Sequence, residues 1–260
     1  MQMDLSSKET WLHRINPSVK LAVLIVLFIA VLFIHDLNFL INLTIAVFIL
    51  FLCYTGHPIK RILLFLIPFL AIFLSTSISM ILFGKGETTW FKWGLVHISK
   101  ESFLRGLLVG SRAIVFAALG LTFALTTRPV YLFYSLMQQV KLKPKYAYSF
   151  MAGLRLIPIM MEEFQTIQNA MKVRGVERQK GIRSLYFKIK AYSIPMLSGS
   201  IRRAHRIAVA MEAKRFSDTR NRTYYYAIGF SKIDLVFISY FALLLLAGYY
   251  VSIHFPYLVI

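Results

Sequence analysis

Five long apolar runs dominate this 260-residue sequence and limit the folds open to it. Crossing a bilayer core of about 30 Å takes roughly 20 mostly apolar residues in one α-helix. Of all residues, 58% are hydrophobic and only 16% are charged, whereas a soluble domain carries about 25% charged residues. We therefore predict an all-α membrane protein with about five transmembrane helices. The predicted spans are Val19–Ile34, Leu37–Tyr54, Ile62–Phe83, Gly106–Leu125 and Ile233–Ile253.

The positive charge is concentrated between the fourth and fifth apolar runs. The chain has 30 Lys and Arg against 11 Asp and Glu, a net charge of +19. Residues 128–222 hold 19 of the basic residues and five of the acidic ones. Basic segments that flank transmembrane helices stay in the cytoplasm, so we expect this segment and the amino terminus to be cytoplasmic. The predicted regions are four spans in 1–127, a cytoplasmic region in 128–231 and a last span in 232–260.

The basic segment is predicted to form one short helix, about Pro129–Val140, and two long amphipathic helices. Apolar residues recur there every three or four positions, which places them on one helical face. Pro144 and Pro195 are expected near the starts of the long helices, where proline is tolerated. Amphipathic helices at a membrane surface lie on lipid or pack against proteins. The apolar stripes are Leu154, Ile157, Met161, Phe164, Ile167 and Met171 in the first helix, and Leu197, Ile201, Ala204, Ala208 and Met211 in the second.

Both long helices end in basic residues. The first ends in Val173-Arg174-Gly175, in which the glycine permits a left-handed cap and the basic residue suits the negative end of the helix dipole. The second ends in Ala213-Lys214-Arg215 and lacks the glycine. These patterns suit ordinary helix ends. They equally suit a docking role, because a guanidinium group at a rigid helix end pairs bidentately with the carboxylates of an acidic groove.

Short motifs along the chain resemble those of the transmembrane T components of energy-coupling-factor transporters, a family that includes the cobalt-transport permeases. That family usually opens with Leu-His-x-x-Asp-Pro-Arg-x-Lys-Leu, and this chain has Asn16 and Ser18 at the Asp and Arg positions. The resemblance covers nearly the whole chain in the right order. The matching stretches are Leu12–Leu21, Thr126–Pro129, Leu154–Pro158, Ser200–Ala204, Ala210–Ala213 and Arg222–Tyr224.

The resemblance implies a docking role for both helix ends. In that family two Ala-Arg-Gly motifs dock into grooves of two cytoplasmic ABC ATPases. Carried over by position, the docking residues are Val173, Arg174 and Gly175 at the first end and Ala213, Lys214 and Arg215 at the second. Because Lys replaces Arg and Arg replaces Gly in the second motif, either Lys214 docks or Arg215 substitutes one residue along. We favour Lys214.

The same resemblance implies a non-catalytic subunit of an importer in a bacterial or archaeal plasma membrane. Its partners would be two ATPases, a small substrate-binding membrane subunit and the lipid bilayer. The cargo would be a vitamin, a vitamin precursor or a metal ion. ATP and Mg²⁺ would bind to the partner ATPases, and this chain would bind no cofactor or metal. The expected contact surface for the small subunit is Leu154, Ile157, Met161, Phe164, Leu197, Ile201, Ala204, Ala208 and Met211.

Two other function classes compete with this interpretation. A conventional ABC importer permease would carry a Glu-Ala-Ala-x-x-x-Gly loop, which the sequence lacks. An intramembrane hydrolase is suggested by the pair Glu162-Glu163, but Ile167 stands where its arginine partner should be. We therefore expect these glutamates to form i, i+4 pairs on a solvated face. A nucleic-acid role for the basic segment is not expected, because its aromatic residues follow no stacking-module pattern.

Two features of the fourth span have alternative explanations. Arg112 is an intramembrane charge, which is either functional and paired or simply reaches the outer headgroups. Gly106 and Gly110 form a Gly-x-x-x-Gly motif, which either allows close helix approach or arises by chance.

Overall fold

The computed structural model describes residues 10–84, 89–93, 96–175, 182–217 and 223–254. The predicted all-α class is confirmed within these residues, with one pair of short antiparallel strands as an addition. The elements are a 3₁₀ turn (Trp11–Arg14), α1 (Pro17–Phe33), α2 (Leu37–Tyr54), α3 (Ile59–Phe83), β1 (Thr89–Trp93), β2 (Val96–Ser99), α4 (Lys100–Thr126), α5 (Pro129–Gln139), α6 (Pro144–Val173), α7 (Ile182–Ala213) and α8 (Lys232–His254).

The chain is a membrane protein whose apolar helices coincide with the predicted spans. In the described residues α2, α3, α4 and α8 are long and apolar enough to cross a bilayer. Helix α1 has 17 residues and spans about 26 Å at 1.5 Å per residue, so a fifth crossing stays a prediction. Helix α4 begins at Lys100 rather than at the predicted Gly106. The reason is a cap, in which the Ser99 hydroxyl accepts a hydrogen bond from the Ser102 amide at 3.1 Å.

The chain divides into two compact units. The first comprises Met1–Ser135 and Ile228–Ile260 and contains all five apolar helices; we call it the membrane unit. The second comprises Leu136–Ala227 and contains α6 and α7; we call it the amphipathic unit. The core of the membrane unit is formed by buried side chains of α1, α2, α4 and α8, among them Leu27, Val31, Leu43, Val47, Leu119 and Phe241.

A group of buried polar side chains holds the start of α1. Asn16 caps the helix by accepting a hydrogen bond from the Ser18 amide, and it also accepts one from the Ser135 hydroxyl at 2.6 Å. Its own amide group donates to the carbonyl oxygen of Gly229, and its backbone N–H donates to Asp234 at 2.7 Å. Asn16 therefore contacts α5 and the start of α8. The opening motif, to which Asn16 belongs, thus has a structural role at the start of α1.

Lys20, one turn into α1, ties α1 to the end of α4. Only 1% of the Lys20 surface is exposed. Its ammonium group donates to the carbonyl oxygen of Leu12 at 2.7 Å and to the hydroxyl of Thr126 at 3.0 Å. Longer bonds reach the Thr126 carbonyl oxygen and the Thr127 hydroxyl. The start of α1 and the end of α4 therefore lie on the same side of the membrane unit.

The Gly-x-x-x-Gly motif of α4 is a packing contact rather than a chance spacing. A Cβ at Gly106 would lie 2.8 Å from Cγ1 of Ile81 and 2.9 Å from the carbonyl oxygen of Ser77, both in α3. A Cβ at Gly110 would overlap the Ser77 side chain and the ring of Phe73. The close approach lets the Ser77 hydroxyl donate to the Gly106 carbonyl oxygen at 3.0 Å. Small residues at this crossing bring the two backbones together.

We predict that Gly106→Ala destabilises the protein by about 1–3 kcal/mol, because the added methyl group overfills the contact between α3 and α4. Gly120→Ala in the same helix is the matched control, since a Cβ there meets nothing within 4 Å. We expect that control to be neutral or slightly stabilising, because alanine favours a helix over glycine by about 1 kcal/mol. The thermal unfolding midpoint in detergent measures both, and equal midpoints for the two variants would contradict the packing role.

Candidate functional site: two basic helix ends

The candidate site is formed by α6 and α7, which run antiparallel to each other. Phe164, late in α6, contacts the ring of Tyr192, early in α7, and Tyr148, early in α6, contacts Phe216 just beyond α7. Pro144 is the first residue of α6, as predicted. Pro195 lies inside α7 and not near its start, so that prediction is wrong. Helix α7 extends at least three turns before Pro195 because its basic and aromatic first part continues the helical pattern.

The two helices pack closely together at one glycine of α7. Gly199 is the one buried residue among those of α7 whose side-chain burial the structure describes. A Cβ at Gly199 would lie 2.7 Å from Oε1 of Glu163 in α6. One turn further along α7, the guanidinium of Arg203 forms an ion pair with Glu163 at 2.9 Å. The glycine therefore makes room for an interhelical ion pair at the crossing.

The ion pair corrects the predicted role of the two glutamates. Glu163 pairs with Arg203 of α7 rather than with a residue four positions along its own helix, and both side chains are only about one-quarter exposed (26% and 25%). Glu162 lies on an exposed position of α6. The contact that the structure gives to Glu163 is therefore one between two helices of this chain.

The end of α6 has the predicted cap. The helix ends at Val173, which is 89% exposed, and Arg174 follows as an exposed residue. Gly175 has a φ of +74°, in the left-handed region. The Arg174 amide donates to the carbonyl oxygen of Ala170, and the Gly175 amide donates to that of Lys172. The cap therefore holds the backbone at Arg174 in place while its side chain remains accessible.

The end of α7 has the same geometry without the glycine. Arg215 adopts a φ of +53°, and its amide donates to the carbonyl oxygen of Glu212 at 2.8 Å. The amide of Phe216 donates to the carbonyl oxygen of Met211 at 2.9 Å. These two bonds form a Schellman motif with Arg215 in the left-handed position. Lys214 therefore matches Arg174 in position, and Arg215 matches Gly175.

The two helix ends are placed symmetrically about the ion pair. Eleven residues separate Glu163 from Arg174 in α6, and eleven separate Arg203 from Lys214 in α7. At 1.5 Å per residue each arm is about 16 Å long. Because the helices are antiparallel, the two arms extend in opposite directions. The amphipathic unit therefore presents two equivalent cationic ends on equal arms.

The predicted contact surface for a membrane partner is apolar and largely open. Ile157 and Met161 of α6 are 53% and 56% exposed, and Leu197 and Ile201 of α7 are 60% and 68% exposed. Each residue turns an α-helix by about 100°. In each helix the stripe residues lie at similar rotation angles from the ion-paired residue, Glu163 in α6 and Arg203 in α7. Because the helices are antiparallel, equal angles place both stripes on the same side of the plane that contains the two helix axes. Of the other predicted contact residues, Leu154 and Met211 are half-buried, and Phe164, Ala204 and Ala208 are exposed.

Several important residues were not identified from the sequence. The Glu163–Arg203 pair joins positions 40 apart, and only the burial of one face of each helix brings them together. Gly199 could have been identified from the sequence, since an isolated glycine inside a helical pattern often marks a close packing contact. Ser135 and Asp234, which bond to Asn16, belong to no motif in the sequence.

The chain is similar to known proteins over most of its length. The model of the cobalt transport protein family, CbiQ, matches residues 8–225. The chain is 28% identical over 228 residues to the energy-coupling factor transporter transmembrane protein EcfT of Streptococcus equi, covering 82% of each chain. It is 29% identical over 236 residues to EcfT of Limosilactobacillus fermentum, covering 86% of this chain and 87% of that one. With EcfT 1 of Listeria monocytogenes it shares 30% identity over 192 residues, which are 70% of this chain and 71% of the relative. The chain therefore belongs to the CbiQ family of cobalt transport proteins, the family of the energy-coupling-factor transmembrane T components.

Proposed function

We propose that this chain is the energy-coupling subunit of an importer driven by two cytoplasmic ATPases. In this proposal Arg174 and Lys214 dock into an acidic groove on each ATPase, and a small substrate-binding membrane subunit rests on the apolar side of α6 and α7. ATP and Mg²⁺ bind to the ATPases, and this chain catalyses no reaction itself. The observation that carries the proposal is the symmetric placement of the two cationic helix ends about the Glu163–Arg203 pair.

The proposed mechanism follows from the crossing geometry. When the ATPases bind ATP and close, they draw the two docked ends along with them. Because α6 and α7 are in contact at Gly199 and at the Glu163–Arg203 pair, the motion of the ends becomes a rotation of the two helices about that point. The apolar surface around Ile157 and Ile201 turns with the helices and reorients the subunit that rests on it. No step requires a titratable group of this chain to exchange a proton.

The proposed orientation places the docking ends in the cytoplasm of a bacterial cell. The segment from 128 to 222 carries most of the net positive charge, and such segments remain on the cytoplasmic side. Lys20 bonds to Thr126, which brings the start of α1 to the side where the chain leaves α4 for that segment. The amino terminus is then cytoplasmic too. The cargo is a vitamin, a vitamin precursor or a metal ion that the small subunit selects.

The first prediction concerns the end of α6. We expect Arg174→Glu to weaken binding of the ATPases about thirtyfold or more, since losing one partner of a buried, hydrogen-bonded charge pair costs about 2–5 kcal/mol. Lys172→Glu makes the same charge change two residues earlier, at another exposed position, and is expected to have a much smaller effect. Co-purification and titration with the ATPase subunits measure both. If both variants bound the ATPase subunits as tightly as the unmodified protein, Arg174 would have no docking role.

The second prediction separates Lys214 from Arg215 as the docking residue. Arg215→Gly should stabilise the chain by about 1 kcal/mol, because a non-glycine residue in the left-handed region is strained by about 1–2 kcal/mol. It should leave ATPase binding intact, whereas Lys214→Glu should abolish it at that end. Unfolding midpoints and ATPase titrations provide the two readouts. Loss of ATPase binding in Arg215→Gly would assign docking to Arg215 instead.

The third prediction concerns the crossing. Glu163→Arg and Arg203→Glu should each destabilise the chain, because each places like charges opposite one another. The double variant restores a pair of opposite charges and should recover part of the loss, with a coupling free energy of about 1 kcal/mol. The thermal unfolding midpoints of the unmodified protein, the two single variants and the double variant give this coupling free energy. Additive losses would mean that the pair does not contribute to holding α6 and α7 together.

A further inference from the structure

Arg112 lies within α4 and has unused hydrogen-bonding capacity. Its terminal Nη2 donates to the carbonyl oxygen of Ile34, the residue that ends α1. Its Nε–H is buried and has no acceptor in the part of the chain that the structure describes. A buried donor without an acceptor is costly, by about 1–3 kcal/mol. Charged groups within membrane-spanning helices are usually functional or paired, and the bond to Ile34 uses only part of the donor capacity of this guanidinium group.

Arg112 borders a cavity of about 410 Å³ on the side of the membrane unit where α1 ends and α4 begins. This is the side opposite Lys20. Two further cationic side chains, Lys100 and Arg105, line the same cavity, as does His35. Glu101 is the one carboxylate among the described lining residues, and the lining is therefore cationic overall.

The remaining walls of the cavity are leucines. Leu104 and Leu108 belong to the same face of α4 as Arg105 and Arg112, and Leu37 at the start of α2 also lines the cavity. Leucine side chains contribute nothing to the binding of a free ion. A cavity lined by both cationic side chains and leucines suits a molecule with an anionic group and an apolar body. Its position at the ends of apolar helices is the level of lipid headgroups.

We propose that this cavity binds an anionic phospholipid, whose phosphate is held by the positive charges of Arg112 and Arg105. Helical side chains lean towards the amino-terminal end of their helix, so the guanidinium of Arg112 reaches towards Arg105. Lys100 lies about 18 Å from Arg112 along α4, farther than one inorganic phosphate spans. It faces the outer part of the headgroup, and the glycerol backbone and upper acyl chains lie against Leu104 and Leu108.

The test is lipid binding to the purified full-length chain. Native mass spectrometry would titrate delipidated protein with dioleoyl phosphatidylglycerol and, separately, with dioleoyl phosphatidylcholine. The test variants are Arg112→Gln and the double variant Lys100→Gln/Arg105→Gln, which leaves the Arg112–Ile34 contact in place. The matched control is Lys60→Gln/Arg61→Gln, which removes two exposed positive charges at the start of α3, on the other side of the membrane unit.

We expect one tightly retained phosphatidylglycerol per chain and about 25-fold weaker binding in Lys100→Gln/Arg105→Gln, since each of the two basic residues contributes about a factor of five near anionic lipid. The control should bind like the unmodified protein. Equal retention of the two lipids, or equal loss in the test and control variants, would overturn the proposal. Displacement by inorganic phosphate as effective as by phosphatidylglycerol would assign the cavity to a free anion and overturn the lipid as its occupant.

Discussion

The buried ammonium group of Lys20 is the interaction on which the arrangement of the membrane unit depends. Withdrawing a charge from water costs several kcal/mol, and here the hydrogen bonds that the ammonium group donates to Leu12 and Thr126 offset that cost. The bonds join the segment before α1 to the end of α4. Together with the bond from Asn16 to Asp234, they bring the starts of α1 and α8 and the end of α4 to one side. The chain leaves α4 on that same side of the membrane unit.

The amphipathic unit uses charge in a different way. Its crossing is held by one ion pair next to a glycine, and the apolar side chains that would normally cover such a pair remain exposed on one side. A helix pair of this kind is poorly stabilised by itself, since most helical stability comes from burial of an apolar face. In the function proposed above, a small membrane subunit covers the exposed apolar stripes and acidic grooves of the ATPases receive the cationic ends. The two caps match in their hydrogen bonds from Gly175 to Lys172 and from Arg215 to Glu212, although Arg215 replaces the glycine in the left-handed position.

Hydropathy and helical periodicity were sufficient to predict most elements of the fold. The apolar runs correspond to α1 to α4 and α8, and the stripe that starts at Leu154 marks α6. Boundaries failed at two places. Ser99 starts α4 within a charged stretch, because its hydroxyl caps the helix. Pro195 lies inside the 32 residues of α7, so the proline does not mark the start of that helix. The helix ends at Arg174 and Lys214 could be identified because capping is local in sequence. The Glu163–Arg203 pair and the contacts of Asn16 could not, since both depend on residues that only tertiary packing brings together.

The distance between the ends of α6 and α7 shows whether nucleotide-driven motion passes through the two equal arms. Lys172 and Glu212 each lie two residues before a docking residue, and both are exposed. Spin labels at Lys172→Cys and Glu212→Cys, with the exposed Cys53 changed to Ser, would report that distance in the complex with both ATPases. We predict that the distribution of distances between the two labels differs between the ATP-bound and the nucleotide-free complex. Identical distributions in the two states would contradict it.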